Sequence, residues 1–386
     1  MNETAATGSL RDATTSGEEV RACLDDFLAA KAFGAAEQCL PVEIVHVLRD
    51  FVCDGGKLLR PELCLIGWCA AAGGGPAPAP VVRAAASLEL FHAFALIHDD
   101  IMDRSATRRG RPSLHRLLAN RYAAGREVAD ADHLGTSAAI LAGDLALAWS
   151  DELLHGAGLT ADRLLCVLPL IDGMREQVMY GQYLDITARG PAEPGSLDSP
   201  GTDAALRIAH YKTGGYTCEV PLCVGATLAG APDGVLKALS AFARPLGEAF
   251  QLRDDLLGAF GDPATTGKPV LDDLREGRHT VLLALAWQRA DPKARAVLSA
   301  VVGTDGITDE EALNVRHVLA ATGARDEVEQ MIATRRRRAH EALQQARLPA
   351  AVTARLTRVA EAATRLPQPG GDDARQNRTG RKSDTR

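Results

Sequence analysis

Aromatic residues make up only 4% of the 386 residues, and no run of eighteen apolar residues occurs. The second absence argues against a membrane-spanning helix, which needs about that length. The first twenty residues, MNETAATGSLRDATTSGEEV, have neither a basic start nor an apolar core, so no signal peptide is expected and the expected location is the cytoplasm. The eight cysteines are scattered through apolar surroundings, and the two CxxxxC pairs lack zinc spacing and a nearby ligand histidine. Buried free thiols are the expectation. An excess of positive charge is missing too: the formal net charge is -7, which gives no general affinity for nucleic acid or anionic lipid. Alternating runs of β-branched residues and internal repeats are also absent, which leaves few signs of a sheet or a solenoid.

What is present reads as helix. VVRAAASLELFHAFALIHDDIMD, TSAAILAGDLALAWSDELL and VEQMIATRRRRAHEALQQARL are rich in Ala and Leu, with apolar residues recurring at three and four. The expected fold class is all-α, a single large helical bundle. The Gly- and Pro-rich stretches at 73–80, 188–203, 261–269 and 366–373 read as connections within it. Polar, aperiodic ends set the expected boundaries: a disordered tail over 1–17, a helical domain over 18–367 and a second tail over 368–386.

The stretch from Leu96 to Arg111, LIHDDIMDRSATRRGR, sets three carboxylates and then a group of arginines at the end of an apolar run. Pro80 can start a helix that runs to about Asp103. Asp99 and Asp103 then share a face at i,i+4, with Asp100 and Asp103 at i,i+3. Near a helix C-terminus the macrodipole is negative and like charges at this spacing repel, each term costing about a few tenths of a kcal/mol or more. Stability does not explain them. Hard carboxylate oxygens on one face suit Mg²⁺, and partners for these aspartates are expected only with a metal diphosphate.

A second acidic motif, QLRDDLLGAFGDPATTGKP, places Asp254 and Asp255 on another apolar helix, followed by Asp262 and Lys268. Two such helices can face each other across a cavity and hold metal between them. Arg108 and Arg109 offer planar forks to phosphate oxygens, and DGGKLLRP sets Lys57 and Arg60 three apart after a Gly pair, a second anion site without metal. His92, two turns before Asp99, shares its face and reads as a binder. His98 reads as structural.

Taken in order over residues 54–280, GGKLLRP, ELFHAFALIHDDIMDRSATRRGRP, YKTGGY, QLRDDLLGAFGDPATTGKP and DDLREGRHT resemble the motifs of the trans-isoprenyl diphosphate synthases, the polyprenyl synthetase family. The resemblance implies a bundle around a deep central cavity, a homodimer, and head-to-tail transfer from an allylic prenyl diphosphate to isopentenyl diphosphate. It also implies three Mg²⁺ ions bound with the allylic substrate. By matching position, Asp99, Asp100, Asp103 and Asp254 resemble the metal ligands, with Asp255 beside them. Lys57, Arg60, His92 and Arg109 correspond to the isopentenyl diphosphate site. Arg108, Lys212, Thr213, Gln251 and Lys268 correspond to contacts with the allylic diphosphate or the reacting centre.

Two departures stand out. Gly258 replaces a common third Asp, which leaves the parts of Asp255 and Asp262 open, and Arg278 replaces a common lysine with its charge kept. A class I terpene cyclase would carry an Asn-Asp metal motif, and no asparagine here precedes aspartate. A non-catalytic synthase subunit would be expected to lose carboxylates from one motif, and both motifs are present. Product length is addressed by residues four, five and eight positions before Asp99: Ala95, Phe94 and Phe91. Ala95 leaves room, and Phe94, roughly 7.5 Å up the helix, is large enough to close the path. One aromatic at the fifth position, with no insertion in DDIMD, resembles geranylgeranyl (C20) rather than farnesyl (C15) synthases. C20 is the expected product, with C15 the alternative.

Overall fold

The computed structural model describes residues 13–53, 56–73, 75–189, 201–261, 272–304 and 306–365. Helices α1 (Ala13–Glu37), α2 (Glu43–Cys53), α3 (Leu59–Ala72) and α4 (Ala79–Met102) come first, then α5 (Leu114–Tyr122), α6 (Val128–His155) and α7 (Ala161–Thr187). After α8 (Thr202–Ala209) the chain enters a π-helix, His210–Glu219, and continues through α9 (Val220–Ala229) and α10 (Asp233–Phe260). A short α11 (Asp272–Arg275) precedes α12 (Val281–Arg289), α13 (Pro292–Val301), α14 (Asp309–Ala321), α15 (Ala324–Gln345) and α16 (Ala350–Thr364). The expected all-α class holds. Among the described residues the exception is a minimal hairpin in which Thr107 pairs with Pro112 and Arg108 with Arg111.

Helix α4 is the axis of the site. Pro80 lies in its first turn, where the missing N–H costs nothing, and Asp103 caps its end by donating its N–H to the Asp99 and Ile101 carbonyls. It is long and apolar enough to cross a membrane, but most of it is buried. Small residues make that burial possible. Ala139, Ala142, Gly143 and Ala146 of α6 let the two helices approach closely, and a Cβ on Gly143 would stand 2.4 Å from the His98 ring.

One boundary and one residue class differ from expectation. Helix α1 begins at Ala13, inside the expected tail, because its periodicity buries Val20, Leu24 and Leu28 completely and carries the helix back another two turns. The expected tail at 368–386 lies outside the described residues. All eight cysteines are free, but only Cys64, Cys218 and Cys223 are buried, whereas Cys39 and Cys166 are exposed. Cys166 sits on the outer side of α7, whose Val167 is buried.

Candidate active site

The three carboxylates at the end of α4 are already in cationic company. Arg108 Nε donates to both Asp100 oxygens at 2.8 and 2.7 Å, and its Nη2 reaches Asp99 at 3.3 Å. Lys212 Nζ lies 2.8 Å from Asp99 Oδ1 and 2.8 Å from Asp185. Asp103 is bound by the guanidiniums of Arg189 and Arg278. The expectation that these aspartates find partners only with a metal diphosphate is therefore corrected. Tertiary cations offset the unfavourable macrodipole and mutual repulsion that the helix alone imposes. The hairpin turn sets Arg108 in place: its central residues, Arg109 at φ 53° and Gly110 at φ 72°, take the left-handed backbone that a two-residue turn of this kind needs.

Charge states diverge within this cluster. Burial would raise the Asp99 pKa, but Lys212, Arg278 and Arg108 hold it well below the ordinary carboxylate value. For Asp100 burial wins over Arg108, and for Asp103 burial and the Asp99 charge win over Arg278, so both are raised.

The second acidic helix meets this cluster through Arg278. Its guanidinium lies 3.6 Å from Asp99 and 3.7 Å from Asp273, and donates from Nε to Glu276 at 2.6 Å. Asp273 in turn explains the glycine in DDLLG. A Cβ on Gly258 would stand 2.5 Å from Asp273 Oδ2, so this carboxylate fills the space that a side chain at 258 would take. Asp255 is buried beside it, accepts from Gln251 Nε2 at 2.7 Å, and is pushed up to about 8 by burial and then by Asp273. Asp254 is exposed. Lys268 and Asp262 lie outside the described residues.

A second group of cations gathers along α4 around Arg60. Arg60 is buried, donates from Nη2 to Thr217 Oγ1 at 2.7 Å, and lies over the Tyr216 ring at 4.2 Å. The Tyr216 hydroxyl lies 3.3 Å from His92 Nδ1. Burial and then Arg60 and Arg109 pull the His92 pKa well below its usual value, which leaves a neutral ring. Glu89 is buried and raised by that burial against the pull of Arg60 and Arg109, and a Cβ on Gly56 would stand 3.0 Å from it and 3.7 Å from Arg109 Nη2. Arg60, Arg109, His92 and Gly56 thus converge, while Lys57 beside Gly56 is exposed.

A profile of the polyprenyl synthetase family matches residues 41–320. The chain belongs to the polyprenyl synthetase family. It is a prenyltransferase of the trans-prenyl diphosphate synthase class. Its fold is similar to that of a Corynebacterium glutamicum geranylgeranyl pyrophosphate synthase solved with isoprenyl diphosphate and magnesium, with TM-score 0.85, 41% identity, and coverage of 92% of this chain and 99% of that one. A (2E,6E)-farnesyl diphosphate synthase of Mycobacterium tuberculosis is 34% identical over 275 residues, 70% of this chain and 68% of the relative. A geranylfarnesyl diphosphate synthase of Aeropyrum pernix is 31% identical over 278 residues, 71% and 79% of the two chains.

In this polyprenyl synthetase chain, the π-helix carries Lys212 and Thr213 at one end and Tyr216 and Thr217 at the other. Glycines hold it from both sides. A Cβ on Gly181 of α7 would meet Lys212 N at 2.3 Å, and one on Gly247 of α10 would meet the Gly214 carbonyl at 2.5 Å. Sequence reasoning missed Asp185, Arg189, Thr217, Asp273, Glu276 and Glu89. Glu89 gave a signal, as one acid within the apolar run SLELF, and Asp273 and Glu276 lie within the motif DDLREGRHT. The oxygen-only donor set suits Mg²⁺. Among the described residues no three acidic, His or Cys side chains form a ready metal cage.

Proposed function

We propose that this prenyltransferase joins an allylic prenyl diphosphate to isopentenyl diphosphate head to tail and stops at all-trans geranylgeranyl diphosphate, C20. The observation that carries the reading is the presence of two cation sets with different partners. One is interleaved with the aspartates of α4, and the other, Arg60 with Arg109, gathers around buried Glu89 beside His92.

Asp99, Asp100, Asp103 and Asp254, with Asp255, are the carboxylates that would hold Mg²⁺, which would supply charge neutralisation for the leaving diphosphate. Arg108 and Lys212 add positive charge for the same group, and Lys268 is assigned to it by sequence. Cation formation at the allylic carbon is steadied by dipoles that cost no reorganisation: backbone carbonyls near Lys212 and Thr213 and the amide of Gln251. Arg60, Arg109, Lys57 and neutral His92 hold the second diphosphate so that its alkene faces that carbon. The departed diphosphate takes the proton that completes the transfer.

Chain length is assigned to α4. Phe94 is 8% exposed, and its ring lies 5.6 Å from Phe91 and 4.8 Å from His98, so three rings at i, i+3 and i+7 form one wall while Ala95 leaves space beside Asp99. The likeness to a geranylgeranyl pyrophosphate synthase supports C20. The farnesyl diphosphate synthase relative supports C15 as the second reading. The working unit is a homodimer.

Incubating the pure protein with isopentenyl diphosphate, each allylic diphosphate in turn and Mg²⁺ tests the reading. A C20 product that disappears with EDTA is expected. No elongated product with any primer would sink the prenyl-transfer reading, and accumulation at C15 would replace only the length.

A further inference from the structure

We propose that Thr217 is a positioning residue for Arg60, and that through it the π-helix holds the metal-free diphosphate site in register with the aspartate site. The proposal rests on the reading of Arg60 as a ligand of isopentenyl diphosphate.

Thr217 is completely buried and 157 residues from Arg60 in sequence, yet its hydroxyl accepts from Arg60 Nη2 at 2.7 Å. A guanidinium offers five N–H donors in a fixed plane, so anchoring one edge and one face fixes where the others point. Thr217 supplies the edge, and the Tyr216 ring, 4.2 Å from Arg60 Cζ, supplies the face. Both belong to one dipeptide step. Arg60 Nε is buried and has no hydrogen-bond partner among the described residues. A buried donor left unpaired costs about 1–3 kcal/mol, an expense the fold bears where a ligand completes the bond.

The other end of the same π-helix is fixed just as firmly. Lys212 is five residues before Thr217, one step of an i→i+5 hydrogen-bonding pattern, and its ammonium is held between Asp99 and Asp185 at 2.8 Å from each. The π-helix backbone packs directly on Gly181 at Lys212 and on Gly247 at Gly214, so close that neither glycine has room for a Cβ. Arg60 and Lys212 are thereby fixed to one short rigid segment, although they serve different diphosphates. That arrangement sets the distance between the attacking alkene and the ionising carbon. Small errors in such a distance are costly to rate.

The test compares Thr217→Val, which keeps the shape and removes the acceptor, with Thr217→Ser, which keeps the acceptor and removes the methyl. Binding of isopentenyl diphosphate to the full chain is measured by calorimetry without Mg²⁺, and KM for each substrate is measured with it. Thr217→Val is expected to weaken isopentenyl diphosphate about tenfold, or about 1.4 kcal/mol, with KM for that substrate rising more than kcat falls and the allylic KM unmoved. Thr217→Ser is expected to bind like the parent chain. Equal losses in both variants would mean that packing, not the hydroxyl, matters, and would overturn the proposal. Arg60→Gln separates the two levels. Weak binding in Arg60→Gln with parent-like binding in Thr217→Val refutes the positioning role alone, and parent-like binding in Arg60→Gln refutes the site reading beneath it. If Thr217→Val does not fold, Thr217→Ala against Thr217→Ser makes the same comparison.

Discussion

Half-buried Asp99 and buried Asp255 are both acids close to Arg278, yet their pKa values shift in opposite directions. Asp99 has Lys212 and Arg108 as well, and these outweigh burial, whereas Asp255 faces burial and then the Asp273 carboxylate, and is pushed up to about 8. An unfolded Asp titrates near 3.9, so between that value and about 8 the folded chain holds a proton at Asp255 that the unfolded chain has released. The contribution of this group to stability is therefore full below the lower value and declines as pH rises toward the upper one, by about 1.4 kcal/mol for each unit by which the pKa is raised. In the metal-free protein Asp255→Asn cannot ionise and still accepts from Gln251. Its Tm is expected to exceed that of the parent chain at pH 8 and to match it more closely at pH 5. Parallel melting profiles across that range would rule out a protonated Asp255. For Asp99→Ala the outcome is different in kind. Lys212 keeps Asp185 and Arg108 keeps Asp100, so the helical fold survives while Mg²⁺-dependent turnover is lost, read by circular dichroism and product assay.

Helix α4 and the π-helix carry the site for different reasons. The first is fixed by a seam of small residues on α6 and bears the ring wall. Phe94→Ala removes the middle ring of that wall and leaves every carboxylate in place. It is expected to lengthen the product to C25 or beyond with turnover retained, at a stability cost of about 3–5 kcal/mol, seen by product chromatography and denaturant titration. An unchanged product would assign the floor to another element. The π-helix is held by backbone against backbone. Gly247→Ala directs a methyl to within 2.5 Å of the Gly214 carbonyl, where no rotamer can yield. Overpacking of this kind costs about 1–3 kcal/mol, and the displaced segment takes Lys212 and Thr217 with it. Unfolding at lower denaturant and a fall in turnover are expected together. A variant that loses stability with full turnover would show that the segment tolerates displacement.

The sequence made the helices and the clustered motifs legible, because Ala- and Leu-rich periodicity, Pro80 at a helix start and charges against a macrodipole are local signals. What it did not show are pairings made only by folding: Asp185 of α7 and Arg189 just after it reaching Lys212 and Asp103, Asp273 filling the space at Gly258, and Thr217 reaching Arg60. Surface features belong to the same class, since exposure of an apolar residue depends on the whole assembly of helices. On α6 and α7, Leu141, Leu165, Tyr180 and Tyr183 are 60–65% exposed, with Ile140, Met179 and Leu184 also at the surface. Large apolar and aromatic side chains repeated on two long helices are what a self-complementary interface offers, and a second copy of the chain is the proposed occupant. Light scattering is expected to give twice the mass of one chain. Tyr180→Asp combined with Leu141→Asp places charge where apolar surface would be buried and opposes association, while neither side chain contributes to the core, so a folded monomer is expected. A dimer that persists in the double variant would place the interface elsewhere. Because α6 also backs His98 through Gly143, a monomer whose products lengthen would show that association braces the wall behind Phe94, and one with C20 products would assign that wall to the single chain.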